Sequence, residues 1–141
     1  MKKILIFIFT TSAALVSCKK ESVTTSTTAP VVEPVDTTAQ LKYRSVFSSG
    51  PYGTTTGVVK IYVKSTAYSL VLDSFTVSGG PDLHVYLAKE KQPLNFIDLG
   101  KLKATSGTQV YAIKGIPDFS QYKYGLIHCQ QFDHLFGSAI F

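Results

Sequence analysis

The feature that most constrains this chain is its punctuation. From Tyr43 onward, short runs rich in Val, Ile, Tyr, Phe and Thr are cut by Gly, Pro, Ser and Asp turn signals about every ten to fifteen residues. β-branched and aromatic residues suit a pleated, half-buried surface. No helical hydrophobic period lasts more than about two turns. A chain so punctuated is confined to short strands.

The runs are 43–47, closed by the turn residues 48–51; 57–63, with Val59, Ile61 and Val63 on one face; and 68–77, which is long enough to need a kink or bulge near Asp73. After the turn at 78–81 comes 83–87, with Leu83, Val85 and Leu87 on one face and His84 and Tyr86 on the other. Runs at 96–99, 108–113, 122–129 and 138–141 complete the set. About eight strands in about 100 residues predict an all-β antiparallel β-sandwich or Greek-key barrel.

The chain before this body reads as an address and a spacer. Met1-Lys2-Lys3 is a basic start, and 4–14 is an apolar run that suits a signal peptide; a membrane-spanning helix needs about twenty residues. Leu15-Val16-Ser17-Cys18 resembles the bacterial lipobox, which places residues 1–17 as a lipoprotein signal peptide and Cys18 as the lipidated N-terminus. The acyl chains implied exceed the two-signal threshold for stable anchoring. Localisation is then the cell envelope, on the extracytoplasmic side, periplasmic or at the cell surface. Residues 22–40 are dominated by Thr, Ser, Val and Pro with no aromatic side chain, so 18–42 is expected to be a disordered tether and 43–141 the folded domain.

The formal net charge of +5 includes Lys2 and Lys3 of the signal segment, and the remaining lysines are dispersed, which argues against nucleic-acid binding. There is no phosphate-binding glycine loop, no paired-cysteine zinc spacing and no nucleophile elbow. Asp82 follows Gly80 and Pro81, and its expected task is structural, bonding turn backbone.

Cys129 is the cysteine left once Cys18 is lipidated, so no disulfide within one chain is available to it. Free cysteines are commonly buried as small hydrophobes; an unpaired thiol in an oxidising compartment also suits redox or metal chemistry. Blue-copper sites use one Cys and two His. Here His134 follows Cys129 with four residues between them, and His84 or His128 would be the second imidazole. The only methionine is Met1, so an axial Met is missing.

The blocks Gly79-Gly80-Pro81-Asp82-Leu83-His84-Val85-Tyr86-Leu87, Ile97-Asp98-Leu99-Gly100-Lys101-Leu102-Lys103, Gly107-Thr108-Gln109-Val110-Tyr111, Ile127-His128-Cys129-Gln130-Gln131-Phe132 and Phe136-Gly137-Ser138-Ala139 resemble, in order and spacing, the DM-thirteen domain family. The resemblance implies an extracytoplasmic β-rich module serving electron transfer, centred on one cysteine that acts as a bare thiol or as a metal ligand, with copper or haem iron as the candidate cofactors and a redox protein as partner. By position Cys129 matches that cysteine. Where the family usually has Trp before the Cys, this chain has His128, and His134 lies outside the family pattern. The rival expectation is a non-catalytic binding or adhesion sandwich in which Cys129 only packs. The resemblance points to an accessory domain more than to a stand-alone enzyme.

Overall fold

The computed structural model describes residues 29–141. The signal peptide, Cys18 and the first part of the spacer lie outside the described residues.

Ten strands form two five-stranded sheets. They are β1 (Val31–Val32), β2 (Gln40–Val46), β3 (Ser48–Ser49), β4 (Thr55–Lys64), β5 (Ala67–Val77), β6 (Leu83–Ala88), β7 (Phe96–Lys101), β8 (Ser106–Ile113), β9 (Tyr124–Cys129) and β10 (His134–Ile140). The first sheet has the order β1-β8-β5-β4-β2, and the second β3-β10-β9-β6-β7. All pairings are antiparallel except β1 with β8. The domain is an all-β sandwich. The eight longer strands correspond to the hydrophobic runs of the sequence. The two additional strands, β1 and β3, are dipeptides held by backbone pairing, which leaves no hydrophobic pattern to read.

Alternation builds the core. Val59 and Ile61 of β4, Leu70, Leu72 and Phe75 of β5, and Tyr111 and Ile113 of β8 point inward from the first sheet. Leu83, Val85 and Leu87 of β6, Ile127 and Cys129 of β9, and Phe136 and Ala139 of β10 meet them from the second. The kink expected near Asp73 is present: the β5–β8 register shifts between Leu72 and Phe75, and Ser74 adopts φ 50°. A bulge inserts a residue and restores alternation on its far side, so Phe75 still faces inward.

The expected disordered tether through residue 42 is corrected from residue 31 on. β1 pairs in parallel with β8, Val31 against Gly107 and Val32 against Thr108. Glu33 N donates to Thr108 O (2.9 Å), and the Glu33 carboxylate accepts from Val110 N (2.6 Å) and from Lys103 Nζ (2.7 and 2.8 Å). The segment thus covers an otherwise open sheet edge. β2 begins at Gln40, three residues before the expected boundary. Polar composition hid this docking because the backbone and one carboxylate supply it, with no apolar burial needed. Gly107 is required there: it has φ 108°, and a Cβ would stand 1.8 Å from Val31 O.

Candidate functional site

Cys129 is the last residue of β9. It is 1% exposed, a free thiol in the inner apolar cluster. Its ladder partners are Leu83 on β6 and His134 on β10. Residues directly opposite in an antiparallel pair share a face, with Cβ atoms about 4.5–5.5 Å apart. His134 therefore stands beside Cys129 at the end of the sandwich. Its ring stacks on Tyr52, with centroids 3.6 Å apart and planes 3° from parallel. Tyr52 is 55% exposed and is held to β10 by its N–H, which donates to Leu135 O (3.3 Å). A buried thiol, an imidazole and an exposed phenol thus follow one another from core to surface.

The hairpin loop 130–133 that makes this possible turns through Asp133, at φ 53°, a left-handed conformation that Asp tolerates. Gln130 N donates to Asp82 O (2.9 Å) and fastens the loop to the turn before β6. Gly80 is the close-packing residue of that turn, since a Cβ would meet the Leu83 side chain at 2.8 Å. The expectation for the Asp82 side chain is corrected. Its carboxylate does not bond the turn backbone; it pairs with Lys101 Nζ (3.0 Å) and lies 3.5 Å from His84 Nε2. Lys101, then its burial in the opposite sense, and then the remaining charges leave its carboxyl below the usual range.

His128 and His84 occupy the other face of the second sheet, directly across the β6–β9 ladder from each other. An exposed or hydrogen-bonded sheet position is the sequence expectation for His84. It is hydrogen-bonded and also buried, at 6% exposure, with Nδ1 2.9 and 3.1 Å from the two Asp98 oxygens. His128 is 3% exposed, with Nε2 3.2 Å from Asp133 Oδ1. Burial, the largest influence, holds the His128 imidazole below its ordinary value, against Asp133, which favours the charged form. Tyr86 lies beside both rings, at centroid distances of 6.0 and 5.4 Å, and Phe96 stacks on it at 4.2 Å. Burial first, then the nearby Asp98 and Asp82 charges, push the Tyr86 phenol up to about 12. This outer face is covered by Phe96, Tyr124 and Leu135, where alternation alone predicts a solvated surface.

The four sequence candidates for a metal, Cys129, His128, His134 and His84, do not converge. Cys129 and His134 share the inner side, while His84 and His128 share the outer side, with the sheet between. Among the described residues no group of three or more His, Cys, Asp or Glu side chains is arranged to hold a metal ion. Two surface cavities, of about 400 Å³ beneath residues 35–39 and about 250 Å³ beside 97–100, are not lined by Cys129. His134 is the one imidazole on the Cys129 face among the described residues, so the second imidazole of a one-Cys, two-His copper site is missing there. Sequence reasoning missed Tyr52, Asp98, Lys101 and Asp133. Their importance comes from cross-strand register and loop geometry, and only the Asp at a tight turn position carried a local signal.

Fold and site together define a small β-sandwich with a single buried thiol, among the described residues, at one end. The chain matches the family model described as electron transfer DM13 over residues 46–141, and it belongs to that family. This assigns it to the electron-transfer modules as a class. No curated protein and no solved structure matches the chain.

Proposed function

We propose that this protein is a lipid-anchored electron-transfer module of the bacterial cell envelope, tethered through Cys18 on the extracytoplasmic side, with Cys129 as its redox group acting as a bare thiol. The observation that carries this reading is membership of the electron transfer DM13 family over residues 46–141. The row Cys129–His134–Tyr52 supports the place of Cys129 in it. The Cys129 thiol gives one electron to the oxidised centre of a redox protein partner as its Sγ proton passes to the His134 imidazole, leaving a thiyl radical and an imidazolium. An electron from a second partner and the proton held on His134 restore the thiol and the neutral ring. Tyr52 is the surface end of the route.

Two variants test the two halves of the proposal. Cys18→Ala moves the protein from the membrane to the soluble fraction; a variant that stays membrane-bound contradicts the anchor. Cys129→Ser retains the fold and loses electron exchange with an oxidised haem protein; undiminished exchange contradicts the thiol.

A second reading has its own supporting observation. Cys129 is 1% exposed among apolar side chains, as a purely packing residue would be. In that reading the sandwich is a non-catalytic binding or adhesion module. Alkylation of Cys129 only upon unfolding, with no electron exchange in the folded protein, selects it.

A further inference from the structure

The direction of β1 decides which end of the sandwich meets the anchor. β8 starts at Ser106 beside the turn that follows β5, where Val77 N donates to Thr105 O (2.8 Å). Cys129 lies at the same end, since Leu102 N donates to Leu83 O (2.7 Å) and Leu83 is the ladder partner of Cys129. β1 runs parallel to β8 and sets Val31 against Gly107, so the chain enters the fold at the Cys129 end. From there residues 33–39 cross to the far end. Asp36 pairs with Lys64 (2.7 Å) beside the β4–β5 hairpin, and Gln40 opposes Val63 and starts β2. Without β1 the chain would enter at Gln40, at the opposite end. Docking two residues thus reverses the end at which the tether arrives.

The two ends differ in surface. At the Cys129 end Tyr52 and Phe132 are each 55% exposed. Loop 50–54 carries no charge and is tied to the uncharged turn at 78–81, with Thr54 N donating to Ser78 Oγ (3.1 Å) and Ser78 N to Thr54 O (2.9 Å). The lysines nearby are paired, Lys101 with Asp82 and Lys103 with Glu33. At the far end, loops 89–95 and 114–123 carry Lys89, Lys91, Lys114 and Lys123 against Glu90 and Asp118. An exposed tyrosine, with an apolar ring and a polar tip, suits a membrane–water interface.

We propose that the Tyr52–Phe132 end of the sandwich rests on the lipid surface of the membrane that holds the Cys18 anchor. The inference rests on that anchor, proposed above. Twelve residues, 19–30, lie between Cys18 and Val31 and span at most about 40 Å. The ten residues of β4 make the sandwich about 33 Å long. For the far end to reach the bilayer, the tether would have to run nearly the whole length of the sandwich. The far-end lysines favour anionic lipid, but the entry of the chain at Val31 favours the near end. The row Cys129–His134–Tyr52 then opens at the lipid headgroups.

The test uses the lipidated full chain in vesicles of phosphatidylcholine and phosphatidylglycerol, with and without brominated acyl chains. The chain has no tryptophan, so Phe132→Trp and Leu94→Trp each supply a single reporter, one at either end. Flotation on a density gradient reads the anchor by itself: protein that does not float removes the anchor reading and this inference with it. In floating protein the expected result is an about two-fold or greater loss of Phe132→Trp emission in brominated vesicles, with little loss for Leu94→Trp. Gly107→Ala, which expels β1 and lets the chain enter at Gln40, cuts the Phe132→Trp loss at least by half. Circular dichroism checks that each variant is folded. Where Gly107→Ala unfolds, Glu33→Ala replaces it, since it removes the side-chain contacts of the docked segment. Floating protein in which Leu94→Trp is quenched as strongly as Phe132→Trp, in which neither is quenched, or in which release of β1 changes nothing overturns the inference. The emission reads position and not electron exchange, so the thiol reading stands or falls separately.

Discussion

Cys129 and His128 are consecutive in the chain and face opposite sides of one sheet, Cys129 toward the sandwich core across from Leu83 and His128 toward the outer face across from His84. The β-strand period of two enforces this separation. One ion cannot bind both side chains while β9 stays paired on both edges. The thiol and the His128 imidazole are therefore on separate faces, and His134 is the imidazole beside the thiol.

The packing contribution of Cys129 is small. Cys129→Ala removes one buried sulfur and is expected to cost about 1–2 kcal/mol, with the slope of urea unfolding unchanged. Cys129→Ser places a hydroxyl among apolar side chains and costs about 1–3 kcal/mol. Urea midpoints of the two variants check this, and both remain folded at room temperature.

The segment before β2 is part of the fold. Deleting residues 22–39 removes β1 and the Glu33 contacts, and the melting temperature falls by several degrees. Gly107→Ala has a similar effect through one atom, because its Cβ overlaps Val31 O and expels β1. Deletion in the Gly107→Ala background then adds little further loss, which is the non-additivity expected of residues sharing one interaction.

Glu33 gives that segment a pH dependence. Burial pushes its carboxyl up, but the Lys103 and Val110 hydrogen bonds together outweigh it and leave the group below its ordinary value of 4.5. A depressed folded value means the stabilisation is present above the unfolded value and is lost as pH falls through the folded one. The Glu33 side chain is 32% exposed, so solvent screens the pair, and Glu33→Gln costs about 1 kcal/mol at pH 7. Chemical denaturation of both proteins from pH 7 to pH 2 checks this, with the difference shrinking below about pH 4.5.

The sandwich, its eight longer strands and the inward position of Leu83, Val85 and Leu87 were legible in the sequence because alternation and turn residues are local signals. So was the bulge near Asp73. The docking of Val31–Val32 on β8 was not, because pairing at a sheet edge leaves no mark in a Thr- and Pro-rich segment. The grouping of the candidate residues was also hidden. That His84 opposes His128, and that His134 opposes Cys129, are facts of register between distant segments. The burial of the outer face depends on Phe96 stacking on Tyr86, a contact that neither strand's own pattern reveals.

Tyr52 separates conduction from stability. Tyr52→Ala removes a half-exposed ring stacked on His134, so it costs about 0.5–1.5 kcal/mol and leaves the thiol in place. Electron exchange with an oxidised haem protein slows several-fold, while Tyr52→Phe retains most of the rate. Stopped-flow absorbance of the haem protein reads both variants.

The most direct test of the account is film voltammetry of the metal-free Cys18→Ala protein beside its Cys129→Ser counterpart. The account predicts a one-electron wave per chain in the first protein and none in the second, with both proteins folded by circular dichroism. A wave that survives the loss of the Cys129 sulfur, or no wave from either protein, contradicts it.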